Sequence, residues 1–216
     1  DANSNTSTAT AVVTVADIIS PTAVAQNITI NLDASGNATI VAADVDNGSA
    51  DNCTSVTLAA SPTAFTCSNI GTNNVTLTVT DGSGNTSTAT AVVTVADIAS
   101  PAAIAQNITV NLDALGNASI VAADVDNGSA DNCTSVTLAA SPTAFTCSNI
   151  GTNNVTLTVT DGSGNTSTAT AVVTVADIAS PAAVAQNITV NLDALGNVTI
   201  VAADVNNGSS DNCGPV

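Results

Sequence analysis

The segment TSTATAVVTVAD occurs at 6–17, 86–97 and 166–177, a constant step of eighty residues. When 1–80 is aligned with 81–160, 71 of 80 positions are identical. Most differences are mild, such as Val24 to Ile104, Ile30 to Val110 and Thr39 to Ser119. No other feature constrains the fold so strongly. An eighty-residue period is too long for one solenoid coil and fits one small sandwich domain. The chain therefore reads as a string of beads cut from something longer. Residues 1–16 are expected to be the last strand of a preceding repeat, 17–96 and 97–176 two complete repeats, and 177–216 the N-terminal part of a further one.

Alternation within a bead points to strands. Ile28, Ile30 and Leu32 alternate with Thr29 and Asn31, Val75, Leu77 and Val79 with threonines, and Ala89, Ala91, Val93 and Val95 largely with threonines. Each run has one apolar and one polar face, the pattern of a sheet with one side in a core and one in water. Turn signals separate the runs at 33–37, 47–48, 61–62, 71–74 and 81–85. The pattern predicts strands A 24–32, B 37–45, C 55–60, C′ 63–67, a short E at 68–71, F 74–80 and G 86–96. The fold class is all-β: tandem seven-stranded sandwich domains. An odd strand number brings the chain in at one pole and out at the other, so the beads string into a linear rod.

Composition excludes many functions. The chain has no Lys, Arg or His, its 17 acids are all Asp, and its formal net charge is −17. Nothing in it neutralises a phosphate, which excludes nucleic acid and anionic membrane as ordinary partners. It lacks the His, Lys, Arg, Tyr and Trp of most catalytic sites, so no enzyme is expected, and isopeptide cross-links, which need Lys, are impossible. No run reaches eighteen apolar residues, so no membrane-inserted helix is expected in this segment. The two Phe, Phe65 and Phe145, are the only aromatics. Asn-x-Ser/Thr triplets recur, as expected by chance in a chain so rich in Asn and Thr.

The cysteines are Cys53, Cys67, Cys133, Cys147 and Cys213. Two gaps are fourteen residues, and Cys213 begins a third pair whose partner falls beyond residue 216. A turn near Ala60 would set Cys53 opposite Cys67, and likewise Cys133 opposite Cys147, on neighbouring strands within disulfide reach. Closing a loop of about fifteen residues contributes roughly 3 kcal/mol in the chain-entropy model. Buried free thiols and metal ligation are the alternatives. A disulfide implies an oxidising setting.

The run NITVNLDALGNASIVAADVDNGSADNC, followed by FTCSNIGTNNVTLTVTDGSGNTSTATAVVTV, resembles the HYR (hyalin-repeat) type of immunoglobulin-like domain. It is most similar to the tandem versions in giant secreted surface adhesins of Bacteroidetes, the gliding-adhesin type. The matching pieces are the DN-C loop, the F-x-C-x-x-x-G step before strand F and the D-x-x-GN hairpin before strand G. The resemblance covers essentially the whole chain. It implies immunoglobulin-like sandwiches, adhesion, and an extracellular, cell-surface-attached location, and it supplies no catalytic residues.

Strand parity places the carboxylates. The B–C loop (46–53), the F–G turn (81–85) and Asp17 fall at the entry pole, and the A–B and E–F turns at the exit pole. At the junction of the complete repeats, Asp97, Asp126, Asp131 and Asp161 are expected to approach Asp33 and Asn37. Without a cationic side chain, only a counterion can relieve such a cluster, and oxygen ligands suit calcium. The candidate ligands are Asp17, Asp46, Asp51, Asn52, Asp81 and Asn85, with Asp97, Asp126, Asp131, Asn132, Asp161 and Asn165 one repeat on. The competing reading has Asp and Asn as turn formers on a solvated acidic surface. Asn206 replaces Asp in the third copy, so that repeat should bind more weakly if Asp46 and Asp126 are ligands.

These readings lead to a structural stalk that holds a binding tip away from the cell. Its partners are neighbouring repeats and other copies in a fibre. The alternative is a repeated adhesive module that binds glycan or protein through avidity. Strand exchange between chains is a third reading, set aside because the partial end repeats look like a cut from a longer chain.

Overall fold

The computed structural model describes residues 2–214. The chain divides into two compact units, Asp1–Ile98 and Ala99–Val216.

In the first unit, β1 (Ile28–Asn31), β2 (Asn37–Thr39), β3 (Thr57–Ser61), β4 (Ala64–Thr66), β5 (Gly71–Thr80) and β6 (Thr86–Ala96) form two sheets. One has the order β1-β6-β5-β3 and the other pairs β2 with β4. With β2 and β4 as B and E, and β3, β5 and β6 as C, F and G, this is the sheet partition of an immunoglobulin-type sandwich. The second unit repeats it with β7 (Ile108–Asn111), β8 (Asn117–Ser119), β9 (Thr137–Ser141), β10 (Ala144–Thr146), β11 (Gly151–Thr160) and β12 (Thr166–Ala176).

The alternating residues become the core. Val75, Leu77 and Val79 of β5 and Ala91, Val93 and Val95 of β6 are buried. Opposite them lie Leu32, Ile40, Val45 and Phe65, also buried. In the second unit the equivalent side chains, with Phe145 among them, form one contiguous cluster drawn from both sheets.

Two details differ from the sequence expectation. A complete repeat has six strands, not seven. The short strand expected at 68–71 does not form, and residues 67–69 form a 3-10 turn, so β4 takes the place of strand E. Side chains satisfy the backbone there: Asn69 Oδ1 accepts the Thr66 N–H at 2.9 Å, and Asn73 Nδ2 donates to the Asn69 and Gly71 carbonyls. Such bonds offer the backbone an alternative to a ladder.

The C–C′ hairpin is also absent. β3 pairs with β5, Leu58 opposite Val79, whereas β4 pairs with β2, Phe65 opposite Ala38. The chain crosses between sheets at Ser61-Pro62, where proline has no N–H for a ladder. β3 and β4 are thus traversed in the same direction. The entry-and-exit prediction survives the lost strand for this reason: β1 runs parallel to β6, Ile28 opposite Val93, and β7 parallel to β12. Each repeat receives the chain at one end and releases it at the other.

Residues 5–27 and 177–201 contain no strand, only isolated bridges such as Thr22 with Ala50 and Ala182 with Ser210. A four-residue helix, α1 (Ala202–Val205), stands where the complete repeats have a 3-10 turn. Within residues 177–214 Leu192 and Ile200 are exposed, whereas their equivalents Leu112 and Ile120 are buried.

Candidate acidic site and the cysteines

Three carboxylates converge at the entry end of the first repeat. Asp17 comes from the segment before β1, Asp51 from the loop between β2 and β3, and Asp81 from the turn between β5 and β6. One oxygen from each lies within 4.8 Å of the others. The local sequence fixes two of them. Asp51 Oδ2 accepts the N–H groups of Cys53 and Thr54 at 2.9 and 3.0 Å. Asp81 Oδ1 accepts those of Ser83 and Asn85 at 2.9 and 2.8 Å, while its Oδ2 accepts the Asn85 amide at 2.8 Å. The same Asn85 amide reaches the Asp17 carbonyl at 3.2 Å. Thr54 Oγ1 accepts the Gly82 N–H at 2.9 Å and ties the turn to the loop. Nothing in the sequence distinguishes Thr54 from its many threonine neighbours, so sequence reading missed it.

The remaining oxygens point to the chemistry. Asp17 Oδ2 and Asp51 Oδ1 are buried atoms without a hydrogen-bond partner, close to the other acids in a chain that has no cationic side chain. Burial acts to raise the Asp81 carboxyl, but the Asn85 side chain and the N–H groups of Asn85, Ser83 and Gly84 outweigh it and hold the group below the usual carboxylate value. Asp81 therefore keeps its negative charge. The neighbouring Cys53 thiol is pushed up, by Asp17 most strongly, then by burial, Asp51 and Asp81. Asp97, Asp131 and Asp161 stand eighty residues after these three in the sequence. Asp97 and Asp161 are buried, Asp131 Oδ1 is again a buried atom without a partner, and Asn165 embraces Asp161 as Asn85 does Asp81.

Other predicted ligands have different roles. The Asp46 carboxylate accepts the Gly48 and Ser49 N–H groups at 3.2 and 3.1 Å, and Asp126 repeats this with Gly128 and Ser129. Asn206 Oδ1 accepts the Ser209 N–H at 2.9 Å in the same way. A neutral amide fills the role, so Asp46 and Asp126 act as turn formers and are not members of the triad. The test based on Asn206 therefore says nothing about a metal. Asn52 and Asn132 turn their amides toward Cys53 and Cys133 Sγ.

The disulfide pairing also differs from expectation. Cys147 is bonded to Cys213, with 5.1 Å between Cα atoms and a sequence separation of 66, and not to Cys133. Cys67 and Cys133 are each disulfide-bonded, and Cys53 is an exposed free thiol, so Cys53 is not bonded to Cys67. The crossing at Ser61-Pro62 explains this. Without a hairpin, the chain carries Cys67 to the far end of its repeat, where its Sγ lies 3.7 Å from the Gly36 carbonyl of the β1–β2 turn, while Cys53 stays beside the triad.

In the second unit the loop carrying Cys213 meets the β7–β8 turn, and Asn212 Nδ2 donates to the Asp113 carbonyl at 3.1 Å. This places a B–C loop against the A–B turn of the repeat before it. Gly116 makes room for the bridge: its φ is +77°, and a Cβ there would collide with Cys147 Sγ.

Among the described residues no helix is long and apolar enough to cross a membrane. No family model matches the chain, and no curated protein matches it. Among solved structures, the chain is similar to the protocadherin gammaB4 extracellular domain (TM-score 0.40, 18% identity, 78% of this chain and 34% of that one). It is similar to human protocadherin-24 EC1-2 (0.39, 13%, 74% and 99%). It is also similar to an endo-fucoidan hydrolase of glycoside hydrolase family 107 (0.30, 15%, 74% and 29%). At these TM-scores the likenesses decide neither fold nor function, and the fold rests on the chain's own sheet topology.

Proposed function

We propose that the chain is a segment of an extracellular stalk, built of HYR-type immunoglobulin-like repeats in a large surface adhesin, that holds a binding tip away from the cell. One observation carries this reading: the first and last strands of each complete repeat are parallel, so each repeat takes the chain in at one end and releases it at the other, as a stalk whose reach grows with repeat number requires. Each strand-length bead adds on the order of 35 Å, for about ten residues rising roughly 3.3 Å each. The adhesive-module alternative has less support, because Phe65 and Phe145 are both buried and the surface offers no aromatic face for a sugar. Electron microscopy of chains with two, four and eight repeats tests the stalk. Length should rise linearly with repeat number, and compact particles would overturn the reading.

We further propose that the triad takes calcium. The two unpartnered oxygens beside Asp81 are the support, and Asp17, Asp51 and Asp81 would be the ligands. The ion would supply the positive charge the chain lacks and tie the segment before β1 to two loops. Asn85 orients Asp81, and Thr54 holds the turn. Terbium luminescence with calcium competition tests this. Displaceable binding that Asp81→Asn reduces is expected, and silence in the parent chain would overturn it.

A further inference from the structure

Three loops of the chain carry the dipeptide Asn-Gly, at Asn47, Asn127 and Asn207, and it occurs nowhere else in the sequence. All three asparagines are exposed, and among the described residues no hydrogen bond holds their side-chain amides. The glycines that follow have φ of +85°, +86° and +85°, and a Cβ on any of them would meet nothing within 4 Å, so no side chain shields the glycine nitrogen. We propose that Asn47, Asn127 and Asn207 are sites of spontaneous deamidation to aspartate and isoaspartate, and that Asp46 and Asp126 slow the reaction at the first two.

The chemistry needs only water. The Gly48 nitrogen gives its proton to water and attacks the Asn47 side-chain carbonyl. A C–N bond forms, the amide C–N bond breaks, and ammonia leaves with a proton taken from water. Water then opens the cyclic imide at either carbonyl, which gives aspartate or isoaspartate, so one water is consumed for each ammonia released. Nucleophile and electrophile are chain neighbours, which makes the step unimolecular. The local geometry sets its rate. The Asp46 carboxylate accepts the Gly48 N–H at 3.2 Å, and Asp126 accepts the Gly128 N–H at 3.1 Å. A carboxylate there opposes the negative charge that develops on the nitrogen as its proton leaves. In the third copy the neutral Asn206 stands in its place, and its Oδ1 accepts the Ser209 N–H, so that restraint is missing. Asp81-Gly82 is protected from the same ring closure, because the Gly82 N–H donates to Thr54 Oγ1 and the carboxylate is held by Ser83 and Asn85. Isoaspartate at position 47 adds one atom to the main chain between two ties to the segment before β1. These are the Asn47 N–H, bonded to the Val24 carbonyl, and Ser49 Oγ, which accepts the Val24 N–H. Each event therefore loosens the loop that leads to Asp51.

Incubation of the 216-residue chain at mildly alkaline pH tests the proposal, with thermolysin digestion and mass spectrometry at intervals, since the chain has no Lys or Arg for trypsin. All three asparagines should turn into acids, Asn207 first, with isoaspartate among the products and one solvent oxygen incorporated from heavy-oxygen water. Asp46→Asn, which copies the third loop, should speed conversion at Asn47 about fivefold, the factor for a unit charge about 4 Å away in water, and leave the rate at Asn127 unchanged. Intact amides at all three positions would overturn the proposal. So would aspartate without isoaspartate, the mark of direct hydrolysis. An unchanged or slower rate at Asn47 in Asp46→Asn would overturn the role given to the carboxylate. None of these outcomes touches the stalk or calcium readings, which have their own tests.

Discussion

Three acids from the same loop region show how position sorts identical side chains. Asp46 forms a turn, Asp51 joins the triad, and Asp44 caps its own 3-10 turn by accepting the Val41 N–H at 2.7 Å. For Asp46 this gives a substitution test. Asp46→Ala should cost about 1 kcal/mol in urea unfolding, whereas Asp46→Asn, which copies Asn206, should be nearly silent. Hydrogen bonding from the Ser49 side chain, working against a burial effect and joined by the Ser49 and Gly48 N–H groups, holds the Asp46 carboxyl below its usual value of 3.8. A depressed carboxyl stabilises the fold above its unfolded value, and the contribution is lost as pH falls through the folded one. Stability should therefore decline below about pH 4, and Asp46→Asn should flatten that decline.

Among the elements, β4 is only three residues long, yet it carries Phe65, 1% exposed, across from Ala38 of β2. In a core otherwise made of Val, Leu, Ile and Ala, this ring is the main filler between the sheets. Phe65→Ala should cost about 3–5 kcal/mol, a large share of the roughly 4–12 kcal/mol expected for a domain of this size. Calorimetry should show the first repeat melting well below the second. Gly116 sits on the β7–β8 turn, and Gly116→Ala should impair the Cys147–Cys213 bridge. Thiol labelling after oxidation should then recover both cysteines as free thiols.

In the whole molecule, calcium and the disulfides act on different parts of the repeat, so their effects should be separable. Calcium at about a hundred times its dissociation constant contributes about 2.7 kcal/mol by mass action, a rise in melting temperature of roughly 10–20 °C for a repeat of this size. Scanning calorimetry with calcium and with EGTA measures it. Removing the bridge by Cys147→Ser should lower stability by roughly 4 kcal/mol in the chain-entropy model and leave the calcium shift of the first repeat intact.

The repeat length, the all-β class and the core faces of β1, β5 and β6 were legible in the sequence, because period-two alternation is a local property of a half-buried strand. So were Asp17, Asp51 and Asp81, because turn residues and strand parity place them at one end. The missing strand at 68–71, the crossing between β3 and β4, and hence the disulfide partners were not, because they depend on which sheet each strand joins. Residues 6–17 and 86–97 are identical, yet Val93 is fully buried in β6 while Val13 is 82% exposed in a segment without a strand. Cys53 and Cys213 share the same D-N-C sequence, yet one is free and the other bonded. The sequence by itself determined the capacity to form a strand or a bridge. Tertiary structure decided whether either forms, because a strand's hydrogen bonds and a cysteine's second sulfur both come from elsewhere in the chain.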